Sequence, residues 1–196
     1  MGQQLKIFVS ILAILVMAVS PVTAAVYTVD NAHSSIGFEV SHMTISIVKG
    51  EFTDYTGTVT YEPDNPEATR AEAVIQAASI DTRNAKRDEH LKSPDFFNVE
   101  ANPLVSFMSR RVVDEGDFLV LVGDLTINGV TREIEMPVSV SGPVTSPYGA
   151  SVIGLSGETV IDRQDFNVSW NKTLDQGGLV VGNDVKIVVN IEASVK

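Results

Sequence analysis

Apolar and polar residues alternate one for one along much of the chain. Ile36, Phe38 and Val40 share one face of an extended run whose other face carries Glu39 and Ser41. Ile134, Met136, Val138 and Val140 repeat the pattern against Glu133, Glu135 and Ser139. Its longest version is Val185, Ile187, Val189, Ile191, Ala193 and Val195, with Lys186, Asn190 and Glu192 opposite. A period of two marks strands with one buried and one wet face. Asn128-Gly129 between two such runs predicts a type I′ hairpin, and Glu115-Gly116-Asp117 a second turn. Pro63, Pro66, Pro143 and Pro147 fall in longer connections. No repeat, low-complexity tract or linker divides the chain, which predicts one all-β domain. A closed barrel would remove the edges of so many strands, and about eight strands leave room for a small or elongated ligand. The pattern alone does not choose between barrel and sandwich.

One segment breaks the alternation. Residues 81–99 crowd Asp81, Arg83, Lys86, Arg87, Asp88, Glu89 and His90 together and end in Ser93-Pro94-Asp95-Phe96-Phe97. A short helix is expected over 84–92, capped by Asp81 or Thr82 and stopped by Pro94. Elsewhere, Phe118, Val120 and Val122 alternate with Leu119, Leu121 and Leu125, so both faces of that strand are apolar. One face would line the interior, and the other would be covered by the helix or by a second subunit.

The first residues follow a different rule. Lys6 precedes an apolar run, Ile7 to Val19, and Val22-Thr23-Ala24 has the small-x-small form that signal peptidase cuts. This predicts a cleaved secretory leader at 1–24, a mature domain at 25–196 and a periplasmic location without a stable membrane anchor. Loss of Lys6 with the leader takes the net charge from −11 to −12. Such an acidic balance argues against nucleic acid and against electrostatic docking on anionic lipid. There is no cysteine, so neither a disulfide, a thiol nucleophile nor a Cys-ligated metal is available.

Catalytic and metal patterns are weak. His33, His42 and His90 share no metal-ligand spacing, so no metal site is expected. There is no Gly-x-Ser-x-Gly elbow, and Ser34 beside His33 would point to the opposite face of a strand. Gly177-Gly178 lacks the remainder of a phosphate loop. Asp162 with Asp165 is unremarkable in an acidic protein. No enzyme activity and no cofactor are expected.

Several blocks match a known family in order. Tyr27-Thr28-Val29-Asp30, Ala32-His33-Ser34 and Ile36-Gly37-Phe38 resemble the opening of the YceI-like proteins. Ser79-Ile80-Asp81-Thr82, Arg87 to Leu91 and Ser93 to Phe97 resemble the middle of the family, and Gly123 to Thr131 its central hairpin. Asp162-Arg163-Gln164-Asp165-Phe166 with Trp170 is similar to its last signature. Two departures stand out: Ser41-His42-Met43-Thr44 replaces an Arg-His-Leu-Met type of sequence, and Asn167 stands where Gly is usual. The resemblance implies a lipocalin-like antiparallel barrel with one helix, an exported homodimer, and a long polyisoprenoid or similar amphiphilic chain held in an apolar tunnel. On that reading Ile36, Phe38, Val40, Phe107, Phe166 and Trp170 line the tunnel. His33, Asp81, Arg83, Asp88 and His90 would meet a polar head or pin the helix. Two other readings stay open: an enzyme acting on such a lipid with His33 or His90 as base, and an accessory protein binding a membrane redox partner.

Overall fold

The computed structural model describes residues 24–175 and 177–195; the leader expected at 1–24 lies outside them except for Ala24. Eleven strands occur among the described residues: β1 (Ala25–Val29), β2 (Ser35–His42), β3 (Ser46–Phe52), β4 (Tyr55–Tyr61), β5 (Arg70–Gln76), β6 (Ile80–Asp81), β7 (Leu104–Asp114), β8 (Leu119–Ile127), β9 (Val130–Thr145), β10 (Ser151–Asp162) and β11 (Val181–Val195). One α-helix, α1 (Ala85–Lys92), joins β6 to β7.

Eight of the strands close a ring. The pairing runs β1-β4-β5-β7-β8-β9-β10-β11 and returns from β11 to β1, antiparallel throughout. The barrel removes every edge that a flat sheet of these strands would expose. β11 does double duty because it is long. Its end pairs with β1 (Val29↔Ala193), and its earlier part pairs with β2 (Ile36↔Val189 through His42↔Val181). β2 then carries β3, and β3 carries β6, so these three strands form a flap that extends the wall at one end.

The expected turns are present. Asn128 and Gly129 both take positive φ, 48° and 74°, as a type I′ turn requires, and Gly116 sits at 85°. Asn167 takes φ 57° at the end of the 3₁₀ turn Arg163–Phe166, a conformation that Gly and Asn both tolerate. That accounts for Asn at a Gly-type position. The helix starts differently from expectation: Asn84, not Asp81 or Thr82, caps it, its side chain accepting from the Arg87 N–H. Asp81 instead accepts from the Arg83 N–H, and Thr82 is buried beneath the helix.

Two apolar clusters fill the ring. One, around Tyr27, Val112, Leu119, Leu121, Ile153 and Ala193, packs the end of the barrel where β11 finishes. The other, around Ile36, Ile75, Phe96, Val105, Ile161 and Phe166, lies toward α1. The two-faced strand needs no partner subunit to bury Val122, which is only 1% exposed within the chain, whereas Phe118 remains exposed.

Candidate functional site

Several inward-facing aliphatics are not fully buried. Val40, Val185, Ile187 and Val189 point into the barrel yet stay half-exposed, because empty space lies before them. Protein interiors normally close such gaps. Here three cavities follow one another inside the barrel.

The first, about 190 Å³, lies under the β2–β3 hairpin, with Phe38, Val40, His42, Arg87, His90 and Trp170 among its walls. A middle cavity of about 140 Å³ adds Phe52, Phe97, Phe166 and Ile187. An inner one of about 120 Å³ is walled by Phe107, Met136, Val138 and Ile191. Phe38, Val40, Leu91, Phe96 and Val181 belong to both the first and the middle cavity. Ile36, Ile75, Leu125 and Ile187 form the neck between the middle and inner ones. The row follows β11 from Val181 to Ile191; since Val181 to Val185 spans only the two steps His42 to Val40 of β2, the length is about 26 Å. An apolar cavity of about 150 Å³ stays dry and accepts a benzene-sized hydrocarbon. Three in series suit a thin, elongated apolar chain.

The segment 81–99 forms the wall and mouth. Asp88 Oδ1 accepts from the Thr82 N–H (2.9 Å) and hydroxyl (2.5 Å), tying the buried side of α1 to β6. Arg87 adds Nε to Thr82 Oγ1 and Nη2 to Thr82 O, both 2.7 Å. So fixed, α1 presents Leu91 to the interior and the exposed His90 to the rim of the first cavity. The His90 ring meets Phe96 and Trp170 edge-on, each at 5.1 Å between centroids, while its Nε2 lies 2.8 Å from Asp95 Oδ2. Phe52 and Phe97 continue the aromatic wall at 5.9 Å. Replacing Asp88 with alanine would strand the Thr82 N–H and hydroxyl in a dry site, at about 2 kcal/mol. The melting temperature should fall by about 5 °C. Asp88→Asn, which keeps the acceptor oxygen, should recover most of that in a thermal melt.

Arg163 is the unexpected residue. It is 5% exposed, and its guanidinium donates to the carbonyls of Gly182, Val168, Trp170 and Val181, with no carboxylate partner among the described residues. Burial pushes its pKa down, and nearby Asp162 partly restores it. Its stem lines the middle cavity while its head staples the Trp170 segment to the start of β11.

Known proteins share both the sequence pattern and the barrel. A model of the YceI-like domain matches residues 27–193. The chain belongs to the YceI-like family. It is 34% identical over 183 residues to protein YceI of Salmonella newport, covering 92% of this chain and 93% of that protein. It resembles the Campylobacter jejuni YceI protein at 30% identity and a TM-score of 0.68, over 85% of this chain and 96% of that one. Burkholderia cenocepacia BcnA has the same fold at 23% identity and a TM-score of 0.74, over 84% and 99% of the two chains. A polyisoprenoid binding domain from Saccharophagus degradans shares it at 13% and 0.66, over 87% and 98%.

The YceI-like barrel sorts the expected site residues into groups. Ile36, Phe38, Val40 and Phe166 face the middle cavity, Phe107 the inner one, and Trp170 and His90 the first. Asp81 and Arg83 face instead an open cleft on the outer side of α1, and buried Asp88 lies at its floor, turned to Thr82. His33 sits farther away, at the β1–β2 junction. Sequence reasoning selected Ile36 of the neck but not Ile75, Leu125 or Ile187, nor Arg163, Arg87 or His42. Arg163 could have been found inside its signature block, as a lone cation between an apolar strand and a buried Phe.

At the junction, His33 Nδ1 is 2.9 Å from Asp30 Oδ2 and 3.9 Å from Glu192 Oε1. The hydrogen bond to Asp30, then the two carboxylate charges, hold the His33 pKa above its ordinary value; the same contact lowers that of Asp30. The stabilisation from His33 is complete below its unfolded value of about 6.5 and is lost as pH rises through the raised folded value. That from Asp30 is present above about 3.9 and is lost as pH falls through its lowered folded value. The contact is therefore strongest between about pH 4 and 6.5, and its solvent exposure keeps it weak. An NMR titration should give His33 a midpoint above about 6.5; a midpoint at or below that value would show the contact is not made.

Proposed function

We propose that this YceI-like protein is an exported carrier that holds one long apolar or amphiphilic chain, of polyisoprenoid or isoprenoid-quinone type, inside its barrel. The supporting observation is the row of apolar cavities along β11, walled by half-buried aliphatics. Each CH₂-sized group left in water costs about 0.8 kcal/mol. A long isoprenoid therefore crosses an aqueous compartment only inside a sleeve. The shared fold of the Saccharophagus degradans polyisoprenoid binding domain supports the same ligand class.

In this reading the tail runs past Phe38 and the Ile36–Ile187 neck toward Phe107. A polar head stays in the first cavity, among Ser41, His42, Arg87 and His90. His33, Asp81, Arg83 and Asp88 act structurally, as the clamp on β1–β2 and the anchor of α1. Binding rather than catalysis is the proposed role, in the periplasm after removal of residues 1–24, with a homodimer as the functional unit. Sedimentation velocity showing only monomer at working concentration would remove the dimer from the proposal.

Organic extraction of protein purified from its native periplasm, followed by mass spectrometry, tests the carrier role. One isoprenoid-type lipid per barrel is expected. A protein that emerges empty and retains no added isoprenoid quinone would overturn it.

A further inference from the structure

The hairpin over the first cavity has an unusual tip. Ile45 is 78% exposed and Ile47 56%, on the outer side of the strand whose inward Val48 lines that cavity. Leu179, 38% exposed, stands beside the turn, since the Met43 N–H donates to the carbonyl of the neighbouring Val180 at 2.8 Å. The turn itself places Met43 and Thr44 at φ 50° and 63°, closed by the Ile45 N–H donating to His42 O at 3.2 Å. A β-branched residue in that region is rare. Here it turns large aliphatics outward at the end of the barrel where the cavities begin.

Charge at this end differs from that of the whole molecule. The polar side chains lining the first cavity are Ser41, His42, Arg87 and His90; no carboxylate lines it, and Asp95 stands outside it, paired with His90 at 2.8 Å. Lys172 lies 6.0 Å from the Trp170 ring centre, beside the same opening. Exposed aliphatics, the cations Arg87 and Lys172 and an opening onto a hydrocarbon tunnel occur together. Interfacial binding draws on these same terms: apolar side chains entering the acyl boundary and cations near anionic head groups.

We infer that the β2–β3 hairpin tip, with Leu179, docks on the surface of a lipid bilayer containing anionic phospholipid, setting the tunnel opening against the phase in which its ligand dissolves. The inference rests on the carrier reading. It also narrows the expectation that an acidic protein avoids anionic lipid, since Arg87 and Lys172 stand at the docking face.

Flotation with vesicles of phosphatidylethanolamine and phosphatidylglycerol tests it. The wild-type protein should float with the vesicles, and Ile45→Glu with Ile47→Glu should weaken partitioning about tenfold or more, the loss of two buried aliphatics. Val144 and Tyr148, also exposed, lie at the opposite end, beside the finish of β11. Val144→Glu with Tyr148→Glu should leave flotation unchanged. Unaltered thermal melts will show that both variants fold, and Ile45→Ser alone serves as a milder check, with a smaller loss expected. A wild-type protein that stays with the soluble fraction overturns the inference, as does equal loss in the two double variants. Lipid extraction is scored separately: flotation with an empty barrel would remove the carrier reading and leave the docking face standing.

Discussion

Substituting Arg163 with methionine should lower the melting temperature by about 10 °C, roughly twice the loss expected for Asp88→Ala. Methionine roughly fills the space of the stem but leaves the carbonyls of Val168, Trp170 and Gly182 without this donor, while Val181 O keeps the amide of Asn171 at 2.7 Å. Each buried acceptor left unpaired costs about 1 kcal/mol or more, so the total is on the order of 3 kcal/mol or above. In a domain of this size one kcal/mol corresponds to about 2–4 °C. Arg163→Lys keeps the charge but loses the planar fork, and should rescue only part of the loss. A melt within about 2 °C of wild type for Arg163→Met would show that the staple is not needed.

The second large effect concerns retention rather than stability. Ile187 lies in the neck between the middle and inner cavities. A phenylalanine there would occupy space that is now empty. Overpacking a filled core costs about 1–3 kcal/mol, but a larger ring in a vacant neck should change the melt by only a few degrees. The amount of co-purified or added isoprenoid held should nevertheless fall about tenfold, because the tail loses access to the inner cavity and its burial there. Quantitative extraction beside a thermal melt reads both. Full retention in Ile187→Phe would mean that the chain does not pass the neck.

Much of this barrel is legible as alternation. The runs of β2, β9 and β11 predict their inward residues, and Asn128-Gly129 predicts its turn, because both signals are local. The branching of β2 and β3 from β11 is not legible, since a strand's pattern gives its buried face and not its neighbour. Nor is the true cap of α1: Asp81, Thr82 and Asn84 are all competent caps, and the contacts of Thr82 with Asp88 and Arg87 settle the choice. The charged stretch resembles an active-site loop because acids, bases and His90 are close in sequence. In three dimensions the helix divides them. Arg87, His90 and Leu91 face the first cavity, while Asp81, Arg83 and Glu89 face the outer cleft. Arg163 is hidden for a related reason: a cation bonded only to backbone carbonyls leaves no partner residue to find in the sequence.

The carrier role requires the three cavities to act as one tunnel for one apolar chain, and a series of isoprenoid alcohols of increasing length, measured by native mass spectrometry, tests this most directly. One molecule should bind per barrel, with affinity rising as each added unit enters the row from Phe38 past Ile187 to Phe107, then levelling once the tunnel is full. Affinity that does not change with chain length, or binding of several short chains but no long one, would contradict it.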